Sequence, residues 1–290
     1  MSINKEIVSL SAKWMPEVCK IAVEAGQLIS EMYHQSESIL VEQKGDGSPV
    51  TEADKKADAL ICQKLQQLTP DIPLVTEESV QDVPFEQRKD WATYWLVDPL
   101  DGTKEFIERT GEFSVNIALI HNHQPVLGVV YGPENGDLYF SSKGSLAYKV
   151  VDLKSVIEID NWQSLVNYAG EISINPMKSS SPIKVAVSRR HGGMIQHFIA
   201  KLGKTELVKM GSALKVCLVA EGTADVYPRF GPTSLWDTAA SQCILESAGG
   251  QLLNAAGHPL QYVQTGSLLN PFFMATGDAD YPWPNFPEIL

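Results

Sequence analysis

A chain of 290 residues, 44% hydrophobic and 20% charged, holds enough apolar material for one large domain or two intimate ones. A formal net charge of −12 argues against a general nucleic-acid binder, whose affinity would come from Lys and Arg on phosphates. A small anionic substrate stays open, because divalent cations and a few local bases can reverse the field inside a pocket. The start MSINKEIVSL lacks the apolar core of a signal peptide, and no membrane-length apolar span follows. A cytoplasmic protein is expected, with at most a peripheral association with the inner membrane. Cys19, Cys62, Cys217 and Cys243 are scattered and form no CxxC pair, which predicts reduced, buried thiols rather than a zinc or redox motif.

Taken in chain order, Ile7, Leu10, Trp14, Val18, Ile21, Ala25, Leu28 and Met32 recur at helical spacing and predict a long amphipathic helix. A polar turn over 44–49 leads to a second helix starting near Thr51, with Ala57, Leu60, Ile61, Leu65 and Leu68 on one face. Thr51 and Asp54 match a cap-plus-acid helix start. Pro70 and Pro73 end that helix, and the short strand Leu74-Val75 runs into Thr76-Glu77-Glu78. Tyr94 to Val97 reads as a buried strand. Asp98-Pro99 and Asp101-Gly102 are turn signals, so the chain should bend sharply as it leaves the sheet.

Antiparallel strands are expected over 113–121, 125–131, 137–141 and 145–150. The polar, serine-rich stretch 151–182 reads as a connection between halves. Beyond it strands and helices alternate: strand 183–188, helix 194–202, strand 206–209, helix 213–222, strand 224–227, helix 236–248 and strand 250–253. The pattern predicts an α+β half over 1–150 and an α/β half over 151–290.

Four places set an acid at a strand end or helix start: Asp54, Glu77 or Glu78, the Asp98/Asp101 pair, and Asp237 in SLWDTAA. Singly each has a plain structural explanation, as a first-turn acid, a solvated pair or a turn former. Together, at strand ends facing one sheet edge, they would repel unless neutralised. Hard, oxygen-seeking Mg²⁺ is the natural neutraliser; His121 and His123 are too isolated to suggest a softer ion. The amides near Gly102 and Thr103 open a short helix and suit an anion. A metal site abutting a phosphate site is the chemistry of a metal-assisted phosphatase.

The segments LVTEE, WLVDPLDGT and WDTAA, in that order across nearly the whole chain, resemble the inositol monophosphatase superfamily of Mg²⁺-dependent, lithium-sensitive phosphatases. KGDGSPVTEAD, DGTKEF and GSALKVCLVAEGTADVYPRFGPTSLWDTAA are similar to its 3′(2′),5′-bisphosphate nucleotidase branch. That branch removes the 3′-phosphate of adenosine 3′,5′-bisphosphate, giving AMP and phosphate, and serves sulfate assimilation. The resemblance implies a layered αβαβα sandwich. It also implies Glu77, Asp98, Asp101 and Asp237 as side-chain metal ligands, Leu100 as a carbonyl ligand, and about two or three Mg²⁺ ions. Asp54 and Thr103 fall where the family orients and deprotonates the attacking water.

The amides at Gly102 and Thr103 would hold a phosphoryl oxygen from the side opposite the metal, and Asp237 and Ser212 also count among the substrate-binding candidates. A second phosphate needs cations outside the metal cluster, and Lys215, one turn beyond Ser212, and Arg229 are the candidates. Ser188 and His191 follow a strand, where a loop could meet ribose or adenine. The rival readings are an inositol phosphate or fructose-1,6-bisphosphate phosphatase on the same metal core, and a non-catalytic Mg²⁺- and nucleotide-binding regulator. The sequence sets no oligomeric state.

Overall fold

The computed structural model describes residues 5–35, 41–45, 47, 49–153, 161–176, 182–189, 192–284 and 286. The two amphipathic stretches form α1 (Lys5–Gln35) and α2 (Glu52–Leu68), with the hairpin β1 (Val41–Gln43) and β2 (Pro49–Thr51) between them. Thr51 Oγ1 accepts from the Ala53 amide at 3.3 Å, and Asp54 Oδ2 accepts from the Thr51 amide at 2.8 Å. This reciprocal box fixes the first turn of α2 and, with it, Asp54.

Seven strands then pair in chain order: β3 (Leu74–Thr76), β4 (Thr93–Asp101), β5 (Ser114–His121), β6 (Gln124–Gly132), β7 (Asp137–Ser142), β8 (Ala147–Val150) and β9 (Gly170–Ile172). Only the β3–β4 pair is parallel. Between these strands lie the short helices α3 (Phe85–Arg88), α4 (Thr103–Ile107) and α5 (Trp162–Tyr168). The second half supplies β10 (Ile183–Val187), α6 (Gly193–Lys201), β11 (Thr205–Lys209), α7 (Leu214–Ala220), β12 (Val226–Arg229), α8 (Ala239–Ser247), β13 (Gln251–Asn254) and β14 (Phe273–Thr276). Its five strands are ordered β11-β10-β12-β14-β13.

Alternation along the first sheet explains the layering, because successive side chains leave opposite faces. Trp95, Val97, Ile117, Leu119 and Val129 pack with α1 and α2 in one apolar cluster. Tyr94, Leu96, Ala118, Ile120 and Val130 join α7, α8 and the inner face of the second sheet in another. Val185, Val187 and Met274 on the outer face of that sheet pack with Ile195 and Phe198 of α6. The five layers are therefore helices, sheet, helices, sheet and helix. Gly128 lets α8 lie directly on β6, since a Cβ there would run into the Ala240 carbonyl. Among the described residues no helix is long and apolar enough to cross a membrane.

Three expectations are corrected. The stretch 151–182 is more than a connection: it contains α5, which buries Leu165, and β9, which extends the first sheet beyond Val150. Its polar composition hides a short helix begun by an Asn161 cap and seated on Phe140 and Tyr148 through Trp162. The helix expected over 236–248 is split, with a 3₁₀ turn at Leu235–Asp237 before α8. The second sheet also has an unforeseen strand, β14, running antiparallel between β12 and β13. All four cysteines are free thiols; Cys19, Cys217 and Cys243 are buried, whereas Cys62 is half-buried beside Asp58.

Candidate active site

Asp98 pairs with Asn116 and Asp101 with Ser114, three steps along β4 against two along β5. In an unbroken strand two residues that far apart point to opposite faces. The extra residue of this bulge turns both carboxylates the same way. Asp237 reaches them from the 3₁₀ turn, its Oδ2 accepting from the Ser234 amide at 2.9 Å. Oxygens of Asp98, Asp101 and Asp237 lie within 4.8 Å of one another.

Burial and mutual repulsion push all three carboxyls upward. For Asp98 the leading cause is burial, followed by the charges of Glu77, Asp101 and Asp237. For Asp237 burial is followed by Asp101 and Glu77. Asp101 rises to about 6 through burial, restrained by Lys215, Asn116 and the Ala213 amide. Its Oδ2 accepts from Asn116 Nδ2 at 3.2 Å and from Ala213 N at 2.5 Å. A cluster of oxygens that resists ionisation calls for a hard cation, and these residues could hold one.

Glu77 stands beside this trio but outside its tight group. Its amide donates to the Val97 carbonyl at 3.1 Å, while its carboxylate takes Lys44 Nζ at 2.6 Å. The same ammonium reaches Glu78 Oε1 at 2.6 Å. One lysine can neutralise only one of the two, and burial drives Glu78 up to about 7. Glu77, and not Glu78, lines the cleft of about 600 Å³ that also exposes Asp98, Leu100, Asp101, Gly102, Thr103 and Asp237.

Thr103 opens α4 immediately after Gly102, whose φ of 95° is a conformation that glycine adopts freely. The Thr103 hydroxyl donates to Asp54 Oδ1 at 3.0 Å and lies 3.4 Å from the Leu100 carbonyl. The other Asp54 oxygen accepts from the Thr51 amide and hydroxyl, and burial raises its pKa. This is a buried carboxylate held from both sides with a hydroxyl at the cleft floor, an arrangement suited to orienting and deprotonating water.

A second cavity, about 270 Å³, adjoins the cleft along Asp101, Gly102 and Asp237 and is also lined by Ser188, Ser212, Lys215, Tyr227 and Arg229. Ser212 sits at φ 47°, a strained value for a residue with a Cβ. Lys215 is buried, donates to the Ser212 carbonyl at 2.6 Å and lies over the Tyr227 ring. Arg229 donates to Ser188 Oγ at 3.3 Å and to the Pro232 carbonyl at 3.0 Å. Its buried Nε has no hydrogen-bond partner among the described residues.

The other sequence-derived site residues line two joined hollows, with Asp54 buried behind Thr103 and His191 lying outside the described residues. A larger hollow of about 800 Å³ between α1, α2 and α5 contains none of them, so size alone does not locate the chemistry. Lys44 and Asn116 were not singled out from sequence. Lys44 opens the KGDGSP motif, and a lone Asn inside the apolar run of β5 was the available signal for Asn116.

The model of the inositol monophosphatase family matches residues 12–279. A 3′(2′),5′-bisphosphate nucleotidase CysQ from Escherichia coli strain K12 is 41% identical over 261 residues, covering 89% of this chain and 98% of its own. The enzyme of the same description from Salmonella typhimurium is 42% identical over 264 residues, 90% of this chain and 99% of its own. The crystal structure of CysQ from Bacteroides thetaiotaomicron, a bacterial member of the inositol monophosphatase family, matches with a TM-score of 0.79 at 38% identity. That match spans 90% of this chain and 96% of the other.

Proposed function

The chain belongs to the inositol monophosphatase family and carries the activity of its 3′(2′),5′-bisphosphate nucleotidases, and we propose that it cleaves the 3′-phosphate of adenosine 3′,5′-bisphosphate to give AMP and phosphate. The observation that carries this is the junction at Asp101, Gly102 and Thr103. On one side lies a carboxylate trio within 4.8 Å, and on the other a cavity lined by Ser188, Ser212 and Arg229.

The donor set fits Mg²⁺, being all oxygen and without His or Cys. Asp98, Asp101, Asp237, Glu77 and the Leu100 carbonyl would hold about two or three ions, Glu77 exchanging Lys44 for metal. When bound, the metal lowers the pKa of a coordinated water and neutralises phosphoryl and leaving oxygens. Asp54 takes the proton that Thr103 relays from the attacking water, along the hydrogen bond already present at 3.0 Å. The amides of Gly102 and Thr103 steady a phosphoryl oxygen, and water attacks in line without a phosphoenzyme. Arg229 is the cation assigned to the second phosphate, its unpartnered Nε being a donor in reserve. Lys215 supports that pocket through Ser212. Ser188, which lines the cavity, would meet the ribose or the adenine, the role that the sequence also suggests for His191.

The test is phosphate release with adenosine 3′,5′-bisphosphate, inositol 1-phosphate, inositol 1,4-bisphosphate and fructose 1,6-bisphosphate, with and without Mg²⁺. The nucleotide should be turned over with the highest kcat/KM, and only with metal. A sugar phosphate ahead of it overturns the substrate assignment; no turnover of any of them leaves a binding protein.

A further inference from the structure

Besides the meeting of Asp237 with Asp98 and Asp101, three contacts join the two halves of the chain behind the site. One is the Ala213 amide on Asp101 at 2.5 Å. Another is the Glu112 carbonyl, packed so closely beneath Gly211 that a Cβ at that glycine would collide with it. The third is an ion pair in which Arg189 Nε donates to Glu112 Oε2 at 2.8 Å and Nη2 donates to Oε1 at 2.5 Å. Glu112 follows α4 and belongs to the first half; Arg189 follows β10 in the second.

Exposed ion pairs usually contribute little, but a bidentate guanidinium–carboxylate fork fixes direction as well as distance. Here the carboxylate end is well covered, 15% exposed, while the arginine is 47% exposed. Neither residue lines a cavity of the site. The neighbour of Arg189 does. Ser188 stands between the 270 Å³ cavity and a further one of about 280 Å³, both of which also share Tyr227 and Arg229. Ser188 Oγ accepts from Arg229 Nη1 at 3.3 Å, so the dividing wall is a serine and an arginine held together.

We propose that the Glu112–Arg189 pair is a positioning clamp: it pins the end of β10 to the segment behind the phosphate loop and thereby sets where Ser188 and Arg229 stand. The width of the nucleotide cavity is then fixed from the metal-binding half of the chain. The pair acts on substrate only through Ser188 and Arg229, so it governs nucleotide affinity and leaves the chemical step alone. A small phosphate monoester that never reaches the second cavity is indifferent to it. The clamp rests on the nucleotide reading above.

The experiment compares wild type with Arg189→Met, Arg189→Lys, Glu112→Gln and the exchanged pair Glu112→Arg/Arg189→Glu. The substrates are adenosine 3′,5′-bisphosphate and 4-nitrophenyl phosphate, with thermal unfolding recorded for each variant. Arg189→Met and Glu112→Gln should raise KM for the nucleotide about 5-fold, with kcat within about twofold and KM for 4-nitrophenyl phosphate unchanged. Arg189→Lys, which keeps charge but loses the fork, should fall between, and the exchanged pair should recover most of the loss. An unmoved nucleotide KM, an equal rise for both substrates, or no recovery in a folded exchanged pair overturns the clamp. A wild type that releases phosphate from 4-nitrophenyl phosphate but not from the nucleotide overturns the substrate reading, and the clamp with it.

Discussion

The acid cleft, centred on the first half and completed by Asp237, and the cation-lined cavity of the second half are built on opposite principles. In the cleft, Asp98, Asp101 and Asp237 are crowded within 4.8 Å and pushed upward in pKa, so their charges are unmet. In the cavity the positive groups are already held in place: Lys215 donates to the Ser212 carbonyl, and Arg229 donates to Ser188 and Pro232, leaving its Nε unpartnered among the described residues. The cleft is an electrostatic demand waiting for a cation, whereas the cavity is a preorganised mould. Substitutions in the first should therefore change chemistry, and substitutions in the second should change affinity.

The strongest way to break that contrast is Asp101→Asn, which removes charge from the cleft and keeps shape. The amide oxygen can still accept from Ala213 N, so the fold should hold and the metal-free protein should unfold no earlier than wild type. A loss of kcat/KM on the order of 10³ is expected, the scale of a removed catalytic electrostatic group. Near-wild-type turnover in saturating Mg²⁺ would take Asp101 out of the ligand set.

Thr103→Val tests the proposed water-orienting role of Thr103 and Asp54 with almost no change in volume. It deletes the hydroxyl that donates to Asp54 at 3.0 Å. Steady-state kinetics should show kcat lower by about 10² with KM little altered. A raised KM at unchanged kcat would make Thr103 a binding group only.

The contrast also explains what was legible. The cleft is written in contiguous motifs, because Asp98, Leu100, Asp101 and Thr103 share one strand-to-helix turn. Even so, the sequence suggested only a bend, and the device that unites Asp98 with Asp101 is a bulge that exists only once β5 is paired. The reach of Lys44 to Glu77 and Glu78 is equally non-local and was missed. In the second half the alternating pattern gave the elements, but β14 is four residues long and owes its place to neighbours on both sides. Likewise nothing local in the stretch around Lys215 shows that its ammonium is turned inward onto Ser212.

A smaller effect, confined to affinity, is expected from Arg229→Ala. Losing a charge-assisted bond to phosphate costs about 1.5–3 kcal/mol, so KM for adenosine 3′,5′-bisphosphate should rise roughly ten- to a hundredfold. Inositol 1-phosphate should be spared. Lys215→Ala should raise the nucleotide KM less and lower the unfolding temperature, because its ammonium anchors the strained Ser212 turn. Equal loss on both substrates would place these residues in support of the metal site.

The smallest expected effect is thermal, and it reads the raised carboxyls of the cleft together with Glu78 behind it. Folding raises Glu78 from its ordinary 4.5 to about 7 and Asp101 from 3.8 to about 6, and it raises Asp98 and Asp237 as well. Between about pH 4 and 7 the folded chain thus keeps protons that the unfolded chain has released. Stability conferred by those protons is complete below the unfolded values and is lost as pH climbs through the folded ones. In EDTA the unfolding temperature should fall from pH 5 to pH 7.5, and Asp101→Asn should flatten that slope. Mg²⁺ at a fixed concentration, a hundred times its Kd at pH 7.5, contributes about 2.7 kcal/mol there, worth roughly 4–5 °C for a chain of this size, and should contribute less at pH 5, where protons compete for the carboxylates. Scanning calorimetry at the two pH values decides it: a metal-free protein that gains stability with pH, or a larger Mg²⁺ shift at pH 5, would mean that the cleft carboxylates are already satisfied within the fold.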